Sequence, residues 1–197
     1  MPDSQKISEK QSEYMKLIAE IMDIRKRGEK PVAYIRTYGC QQNVADSEKI
    51  KGMLEQSGFE FADEPDNADF ILFNTCAVRE HAEDRVFGNV GLVFGTHSLH
   101  HFPELMYNAL LDGKRVFERG NDDNQLYEGF PVKRDGTFKG WLPIMYGCNN
   151  FCTYCVVPYV RGRERSREKN IIVSEAKNMI ESGYKDITLL GQNVNSY

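Results

Sequence analysis

The sequence predicts an α/β fold built from parallel sheets, and three features of its apolar pattern support this fold class. Short β-branched and aromatic runs at residues 32–38 and 69–74 are each followed by a cysteine-containing loop and a helix-like stretch. A third run, at residues 141–146, leads through another cysteine loop into a helix and a further strand. Alternation of strands and helices along a chain is typical of βαβ units and of a parallel sheet.

The composition excludes several classes of protein. Of the 197 residues, 41% are hydrophobic and 27% are charged, and the net charge of −4 leaves any RNA contact to a local basic patch. No apolar run approaches the ~20 residues that span a bilayer, and the polar N-terminus resembles no signal or transit peptide. Five cysteines without a secretion signal predict a reducing, cytoplasmic location and no membrane partner.

The first element is predicted to be an amphipathic helix over residues 5–27. Its apolar side chains recur at helical spacing, and Gly28 is placed to end it. We expect the helix to dock on the domain that follows through Tyr14, Leu17, Ile18, Ile21 and Ile24.

Two strand–loop–helix units follow. The strand at 32–38 leads into a loop with Cys40, and a helix at 43–56 turns Ile50, Met53 and Leu54 inward, with Gly58 after its end. The run at 69–74 predicts a buried parallel strand that leads into a loop with Cys76, before a helix at 79–90. Because the carboxyl ends of parallel strands meet at one sheet edge, Cys40 and Cys76 are expected to lie close together. Each cysteine fits either a metal-ligand role or a buried core position.

The next junction is unusually short, because only Gly91 separates the helix at 79–90 from a strand at 92–94. Loops between a helix and a strand usually take ~2–6 residues. A helix at 102–111, a stop at Asp112-Gly113 and a strand at 115–118 are predicted next. The histidines before that helix fit a surface loop better than a metal site: His97, His100 and His101.

Residues 120–130 are polar and turn-rich and predict a domain boundary. Asp135-Gly136 predicts a hairpin turn, and the strand at 141–146 leads into the third cysteine loop. Beyond it we predict a helix at 174–182, with Ser174 as N-cap and Gly183 as stop, and a strand at 187–190.

The third cysteine loop, G-C-N-N-F-C-T-Y-C at 147–155, holds Cys148, Cys152 and Cys155 in a C-x₃-C-x₂-C spacing. Iron–sulfur clusters usually take four cysteines, so three on one loop leave a cubane cluster with an open position, as a catalytic metal requires. A zinc loop or a disulfide is the alternative interpretation. Zinc sites favour two separated C-x₂-C pairs, and the sequence has no second pair.

Three motifs together resemble the radical-SAM methylthiotransferases, and among them the MiaB-type enzymes that modify tRNA. They are Y-G-C-Q-Q-N at 38–43, N-T-C-A-V-R at 74–79 and the cysteine loop at 147–155. V-P-Y-V-R-G-R-E-R-S-R at 157–167 and G-Q-N-V-N-S-Y at 191–197 fit the same family, so the resemblance runs from about residue 31 to residue 197. It implies a methylthio transfer to isopentenylated adenosine next to the anticodon of tRNA.

The resemblance also implies cofactors and site residues. Cys148, Cys152 and Cys155 would hold a 4Fe–4S cluster that reduces S-adenosylmethionine to a 5′-deoxyadenosyl radical. Cys40 and Cys76 would belong to a second 4Fe–4S cluster, which carries the methylated sulfur. S-adenosylmethionine would contact Tyr154 and Gln192, and a flavodoxin or ferredoxin would donate electrons. The tRNA phosphates would contact Arg161, Arg163 and Arg165, which otherwise form a solvated charged surface.

The family also implies a domain layout. An N-terminal helix at 1–30 would precede a flavodoxin- or Rossmann-like methylthiotransferase domain at 31–120 and a linker with a hairpin at 121–140. Residues 141–197 would hold the first βα unit of a radical-SAM partial (β/α) barrel, since a barrel needs roughly 200 residues or more.

Two departures from the family pattern bear on activity. The third cysteine of the N-terminal cluster would fall in a segment missing between Gly91 and Leu92, and we expect this chain to lack the RNA-binding C-terminal domain that the family carries. We therefore expect one cluster and no sulfur transfer by this chain alone. The alternative functions are a non-catalytic cluster-binding or electron-transfer module and a tRNA-associated remnant without a cofactor.

Overall fold

The computed structural model describes residues 2–75, 91–118 and 126–197. The helix predicted at 79–90 and Cys76 lie outside the described residues, as does part of the boundary predicted at 120–130. The helices are α1 (Pro2–Lys26), α2 (Gln41–Gln56), α3 (Phe102–Asp112), α4 (Val157–Val160) and α5 (Lys169–Glu181). The strands are β1 (Val32–Thr37), β2 (Glu60–Phe61), β3 (Phe70–Asn74), β4 (Leu92–Phe94), β5 (Val116–Glu118), β6 (Lys139–Pro143), β7 (Met145–Tyr146), β8 (Arg165–Ser166) and β9 (Asp186–Leu190).

The first sheet confirms the predicted parallel arrangement. Strand β1 lies between β2 and β3 and pairs in parallel with both, with Thr37 opposite Asn74. Strands β4 and β5 form a separate parallel pair. The first core packs beneath these strands, and it includes the predicted inward residues Ile50, Met53 and Leu54 of α2.

Helix α1 forms as predicted, but its buried face differs from the expected one. The buried positions are Gln11, Met15, Ile18 and Met22, whereas Ile24 is 77% exposed. With 3.6 residues per turn, positions 22 and 24 point to nearly opposite sides of a helix. Because the methionines take the core-facing stripe, the prediction that Ile24 docks on the domain is wrong.

Strand β3 is parallel, as predicted, but it is not buried on both faces. Phe70 and Leu72 pack against the first core, whereas Ile71 and Phe73 on the other face are 45% and 40% exposed. Successive side chains of a strand point to opposite faces, so a continuous apolar run does not reveal whether both faces are covered. The prediction of a fully buried strand is therefore wrong.

The second core lies in the C-terminal part of the chain. Strands β6 and β9 pair in parallel, from Lys139 opposite Asp186 to Pro143 opposite Leu190, with α5 as the connecting helix. The buried residues of this core are Leu142, Ile144, Met145, Ile172 and Met179. Strands β7 and β8 form an antiparallel pair.

Two predictions in this part are wrong. Strand β6 has no antiparallel partner before it among the described residues, because the amides of Lys133 and Asp135 donate to Glu48 of α2 instead of to a neighbouring strand. Helix α5 begins at Lys169 with Glu168 as N-cap, so Ser174 lies inside the helix. The helix is longer than predicted by the turn before Ser174, which contains Ile172, and Ile172 is buried in the second core. Gly183 follows the end of the helix, as predicted.

No helix in the described part of the chain is long and apolar enough to cross a membrane.

Candidate metal centre

Strands β6 and β7 deliver the chain into the cysteine loop, and backbone contacts clamp the start of that loop. Gly147 has φ +72°, and a Cβ placed there would lie 2.1 Å from the carbonyl oxygen of Arg163. Next to it, the amide of Cys148 donates a hydrogen bond to the carbonyl oxygen of Gly162 (3.2 Å). Only glycine fits both the left-handed conformation and this close approach. The loop is therefore anchored on residues 162 and 163, which precede β8.

The three cysteines of the loop are free thiols. Cys148 is buried, Cys152 is exposed and Cys155 is half-buried, and the amide of Cys155 donates to the carbonyl oxygen of Cys152 (2.9 Å). Cys40 is also free, so the disulfide alternative is not seen among the cysteines that the structure describes.

The structure does not gather the cysteines into a formed metal site. Over residues 2–75, 91–118 and 126–197, no three His, Cys, Asp or Glu side chains lie close enough together to ligate one metal ion. The donor set nevertheless fits a 4Fe–4S cluster, because cysteine thiolates are its usual ligands and three free thiols stand on one loop.

The predicted histidine loop forms a short 3-10 helix, Thr96–His101, before α3. The ring of His100 stacks on Tyr127, with centroids 3.8 Å apart, and His101 Nδ1 lies 3.4 Å from the carboxylate of Glu104.

Cys40 lies at the N-cap of α2, next to a buried amide network. Its thiol donates to Oδ1 of Asn43 (3.3 Å), and Asn43 is 1% exposed. Asn43 Nδ2 donates to Asn74 Oδ1 (3.1 Å) and to the carbonyl oxygen of Thr75 (3.3 Å). In return, Asn74 Nδ2 donates to the carbonyl oxygen of Asn43 (2.8 Å). The start of α2 is thus tied to the end of β3, directly before Cys76.

Asn43 and Asn74 had no role predicted from the sequence. A signal was present, since an asparagine three residues after an N-cap position can close a capping box. Gly39 belongs to the same arrangement, because a Cβ at its φ of +147° would lie 2.7 Å from Asn43 Oδ1.

The arginines of the run 161–165 do not share one environment. Arg161 Nη1 binds Asp46 Oδ2 of α2 (3.1 Å), and the two side chains are only 11% and 7% exposed. Arg165 Nη2 donates to the carbonyl oxygen of Arg161 (2.9 Å). Arg163 is exposed, and its guanidinium lies 5.0 Å from the ring centroid of Phe151. Of the three predicted phosphate contacts, Arg163 is the one whose side chain reaches solvent most fully.

Helix α2 connects both cysteine regions. It begins after Cys40, and further along it Lys49 Nζ donates to the hydroxyl of Tyr146, two residues before Cys148 (2.7 Å). Burial opposes the charge of Lys49, but Tyr146 and Asp46 outweigh this effect and raise its pKa. With the pair of Asp46 and Arg161, these contacts fix α2 against the segments on either side of the cysteine loop.

Arg161→Ala is expected to lower the free energy of unfolding by about 3 kcal/mol, because the buried carboxylate of Asp46 would lose its cation. Chemical denaturation measures this change. Arg163→Ala is the matched control, since replacing an exposed side chain changes stability by about 0.5 kcal/mol or less. Equal stability of the two variants would contradict the structural role of Arg161.

Comparisons with known proteins cover both halves of the chain. A family model described as "Uncharacterized protein family UPF0004" matches residues 32–99, and the model of the Radical SAM superfamily matches residues 142–197. These matches contain Cys40, Cys76 and the three-cysteine loop.

Curated relatives match nearly the whole chain. It is 44% identical to the tRNA-2-methylthio-N(6)-dimethylallyladenosine synthase of Thermoanaerobacter sp. (strain X514), over 95% of this chain and 47% of that protein. Proteins of the same name from Clostridium beijerinckii and Clostridium tetani are 44% identical, over 86% and 87% of this chain and 46% of each relative. The chain spans about half the length of the curated relatives it matches.

The match with the Thermoanaerobacter protein extends over 226 residues, more than the 197 of this chain. That relative therefore carries residues within the matched region that this chain lacks, which agrees with the short junction at Gly91. The family models, the identities and the cysteine motifs all lead to one conclusion: the chain belongs to the MiaB-type radical-SAM methylthiotransferase family.

Proposed function

We propose that this chain provides the cluster-binding parts of an enzyme that adds a methylthio group to isopentenylated adenosine next to the anticodon of tRNA. The observation that carries this proposal is the loop with three free thiols inside the region that matches the Radical SAM superfamily. A cytoplasmic location and electron supply by a flavodoxin or ferredoxin belong to the same proposal. So do the domain boundaries at residues 30, 120 and 140 and the start of a partial (β/α) barrel from 141.

Cys148, Cys152 and Cys155 are the proposed ligands of the radical-SAM cluster. When bound, the cluster supplies the electron that cleaves S-adenosylmethionine to methionine and a 5′-deoxyadenosyl radical. The chain's own contribution is to hold three thiolates on one short loop and to leave the fourth position open. The clamp of Gly147 and Cys148 on the 162–163 backbone keeps that loop in place.

Tyr154 and Gln192 are the proposed contacts of S-adenosylmethionine. Tyr154 stands between two ligand positions and is 96% exposed, so its ring is available to a cofactor. Gln192 follows β9, whose last residue, Leu190, accepts a hydrogen bond from the amide of Ile144 (2.8 Å). Because β6 and β9 are parallel, both run out at the same sheet edge, where ligands of α/β folds bind.

Cys40 and Cys76 are the proposed N-terminal ligands. The tie from Asn43 to Asn74 and Thr75 supports this role, because it joins the loop that holds Cys40 to the strand end that precedes Cys76. We propose that this edge would bind the family's second cluster only if a third ligand completed the site.

The test of the proposed function is cleavage of S-adenosylmethionine. The reconstituted chain, reduced anaerobically with dithionite, is expected to release 5′-deoxyadenosine, and Cys152→Ala is expected to release none. Ile24→Ala is the control, since this side chain is 77% exposed on α1, lies outside every proposed site and should leave cleavage unchanged. A reducible cluster without any 5′-deoxyadenosine would contradict the proposal and favour an electron-transfer module.

A further inference from the structure

We propose that Phe151 and Arg163 form a platform on which an unpaired base of the RNA substrate stacks, at the rim of the cysteine loop. The inference rests on the proposed function for the identity of the substrate as RNA. It adds a residue-level base contact that is separate from the cluster ligands and from the proposed contacts of S-adenosylmethionine.

The first observation is the exposure and geometry of the pair. Phe151 is 47% exposed, and the guanidinium carbon of Arg163 lies 5.0 Å from its ring centroid. Phe151 directly precedes Cys152 in the chain, so its ring is carried by the same loop as the proposed cluster ligands. The pair therefore presents an aromatic ring, that of Phe151, and a planar cation, that of Arg163, at the surface.

The second observation is the backbone that presents the ring. Phe151 has φ +47°. This left-handed conformation is uncommon for any residue other than glycine, and especially for bulky ones. Such conformations persist only when surrounding contacts impose them, and they concentrate at functional sites. The loop around Phe151 is held at its base, because Asn149 Oδ1 accepts a hydrogen bond from the amide of Glu164 (3.2 Å). The residues before Phe151 and after Arg163 are therefore joined.

The third observation is that the three arginines of the run differ in their contacts and exposure. Arg161 is held by Asp46, and Arg165 donates to the backbone of Arg161, so both side chains serve the fold. Arg163 is exposed and keeps its charge at the surface. It is the member of the run best placed to accompany a phosphate beside a stacked base.

The chemistry of the pair matches single-stranded RNA. Unpaired bases stack on aromatic rings and on guanidinium planes, and a nearby cation attracts the adjoining phosphate. A protein partner such as an electron donor requires a broader patch, about 1,000 Å² or more in a specific interface. One ring and one guanidinium suit a base better than they suit a protein surface.

The experiment compares variants of the full 197-residue chain in binding two labelled RNAs. One is a hairpin with the stem and loop of a tRNA anticodon arm, and the other is a fully paired duplex of equal length. Phe151→Leu keeps an apolar side chain but removes the π-face, and Phe151→Trp restores it. Arg163→Gln removes the charge. Circular dichroism and thermal unfolding verify that each variant is folded.

Phe151→Leu is expected to weaken hairpin binding roughly 5- to 100-fold without changing its salt dependence, because a stacked base contributes affinity but no counterion release. Phe151→Trp is expected to bind within about twofold of the parent chain. Arg163→Gln is expected to weaken binding and to lower the salt slope by about 0.7, the value for one single-strand phosphate. Duplex binding is expected to stay unchanged in Phe151→Leu.

Hairpin binding by Phe151→Leu equal to that of the parent would overturn the platform. Equal binding of hairpin and duplex by the parent chain would also overturn the platform. The same holds if Phe151→Leu changes only the rate at which flavodoxin reduces the protein and not RNA binding. Measuring 5′-deoxyadenosine in the same preparations separates this proposal from the proposed function. A chain that cleaves S-adenosylmethionine without preferring the hairpin refutes only the platform, and the reverse result refutes only the cleavage.

Discussion

Anaerobic reconstitution with iron and sulfide is expected to give one cluster per chain, about four iron ions, and none when Cys148, Cys152 and Cys155 are all alanine. The sequence has five cysteines, and the loop takes three of them, so the N-terminal edge retains only Cys40 and Cys76. Two thiolates would leave a cubane mostly exposed to solvent, where water or oxygen dismantles it.

Histidine is the alternative third ligand for the N-terminal site, since histidines replace two of the cysteines in Rieske centres. His97 is the nearest candidate in sequence after the short junction, but it lines a small cavity with Asp46, Lys49 and Arg161. Its neighbour Thr96 donates to the carbonyl oxygen of Val160 (3.0 Å), which holds this segment against the C-terminal part. Iron and sulfide per chain are the measurement, and a full cluster surviving in the triple variant would contradict the expectation.

Arg167→Ala is expected to lower the free energy of unfolding by about 3–5 kcal/mol, the cost of breaking a buried ion pair. The Arg167 side chain is 4% exposed and binds Glu128 through Nε (2.6 Å) and Nη2 (2.7 Å). Nη2 also contacts Glu175 (2.8 Å), and Nη1 donates to the carbonyl oxygen of Pro143 (2.6 Å). Removing the guanidinium would leave two half-buried carboxylates and a carbonyl without their shared donor.

Arg167→Lys is the matched variant, because it keeps the charge but loses the planar fork that binds Glu128 with two nitrogens. Denaturant unfolding should place it between the parent and Arg167→Ala. A stability of Arg167→Ala within about 1 kcal/mol of the parent would show that the network contributes little.

The same network predicts acid sensitivity. Burial alone would raise the pKa of Glu175, but the charge and hydrogen bonds of Arg167, with Arg134, outweigh it and lower the pKa below the usual 4.5. A lowered folded pKa means that the stabilisation is complete above the unfolded value and is lost as the pH falls through the folded one. We therefore expect the free energy of unfolding to fall as the pH drops below about 4.5, and Glu175→Gln to lessen that dependence.

The sequence by itself determined most of the elements and the chemistry of the site. Apolar periodicity located α2 and its inward residues Ile50, Met53 and Leu54, and glycines marked helix ends at Gly113 and Gly183. The cysteine spacing and its surrounding motifs were sufficient to identify the family. These signals are local, because periodicity, capping and ligand spacing are set by residues a few positions apart.

Only the tertiary structure decided which side chains face solvent and which face a distant partner. It placed Arg161 against Asp46, turned Ile24 outward, used Asp135 to bind Lys51, and joined Asn43 to Asn74. Each of these outcomes depends on residues far apart in the chain that packing brings together. An arginine or an asparagine carries the same local pattern whether its partner is a buried side chain or water, so its role is set by what the fold places opposite it.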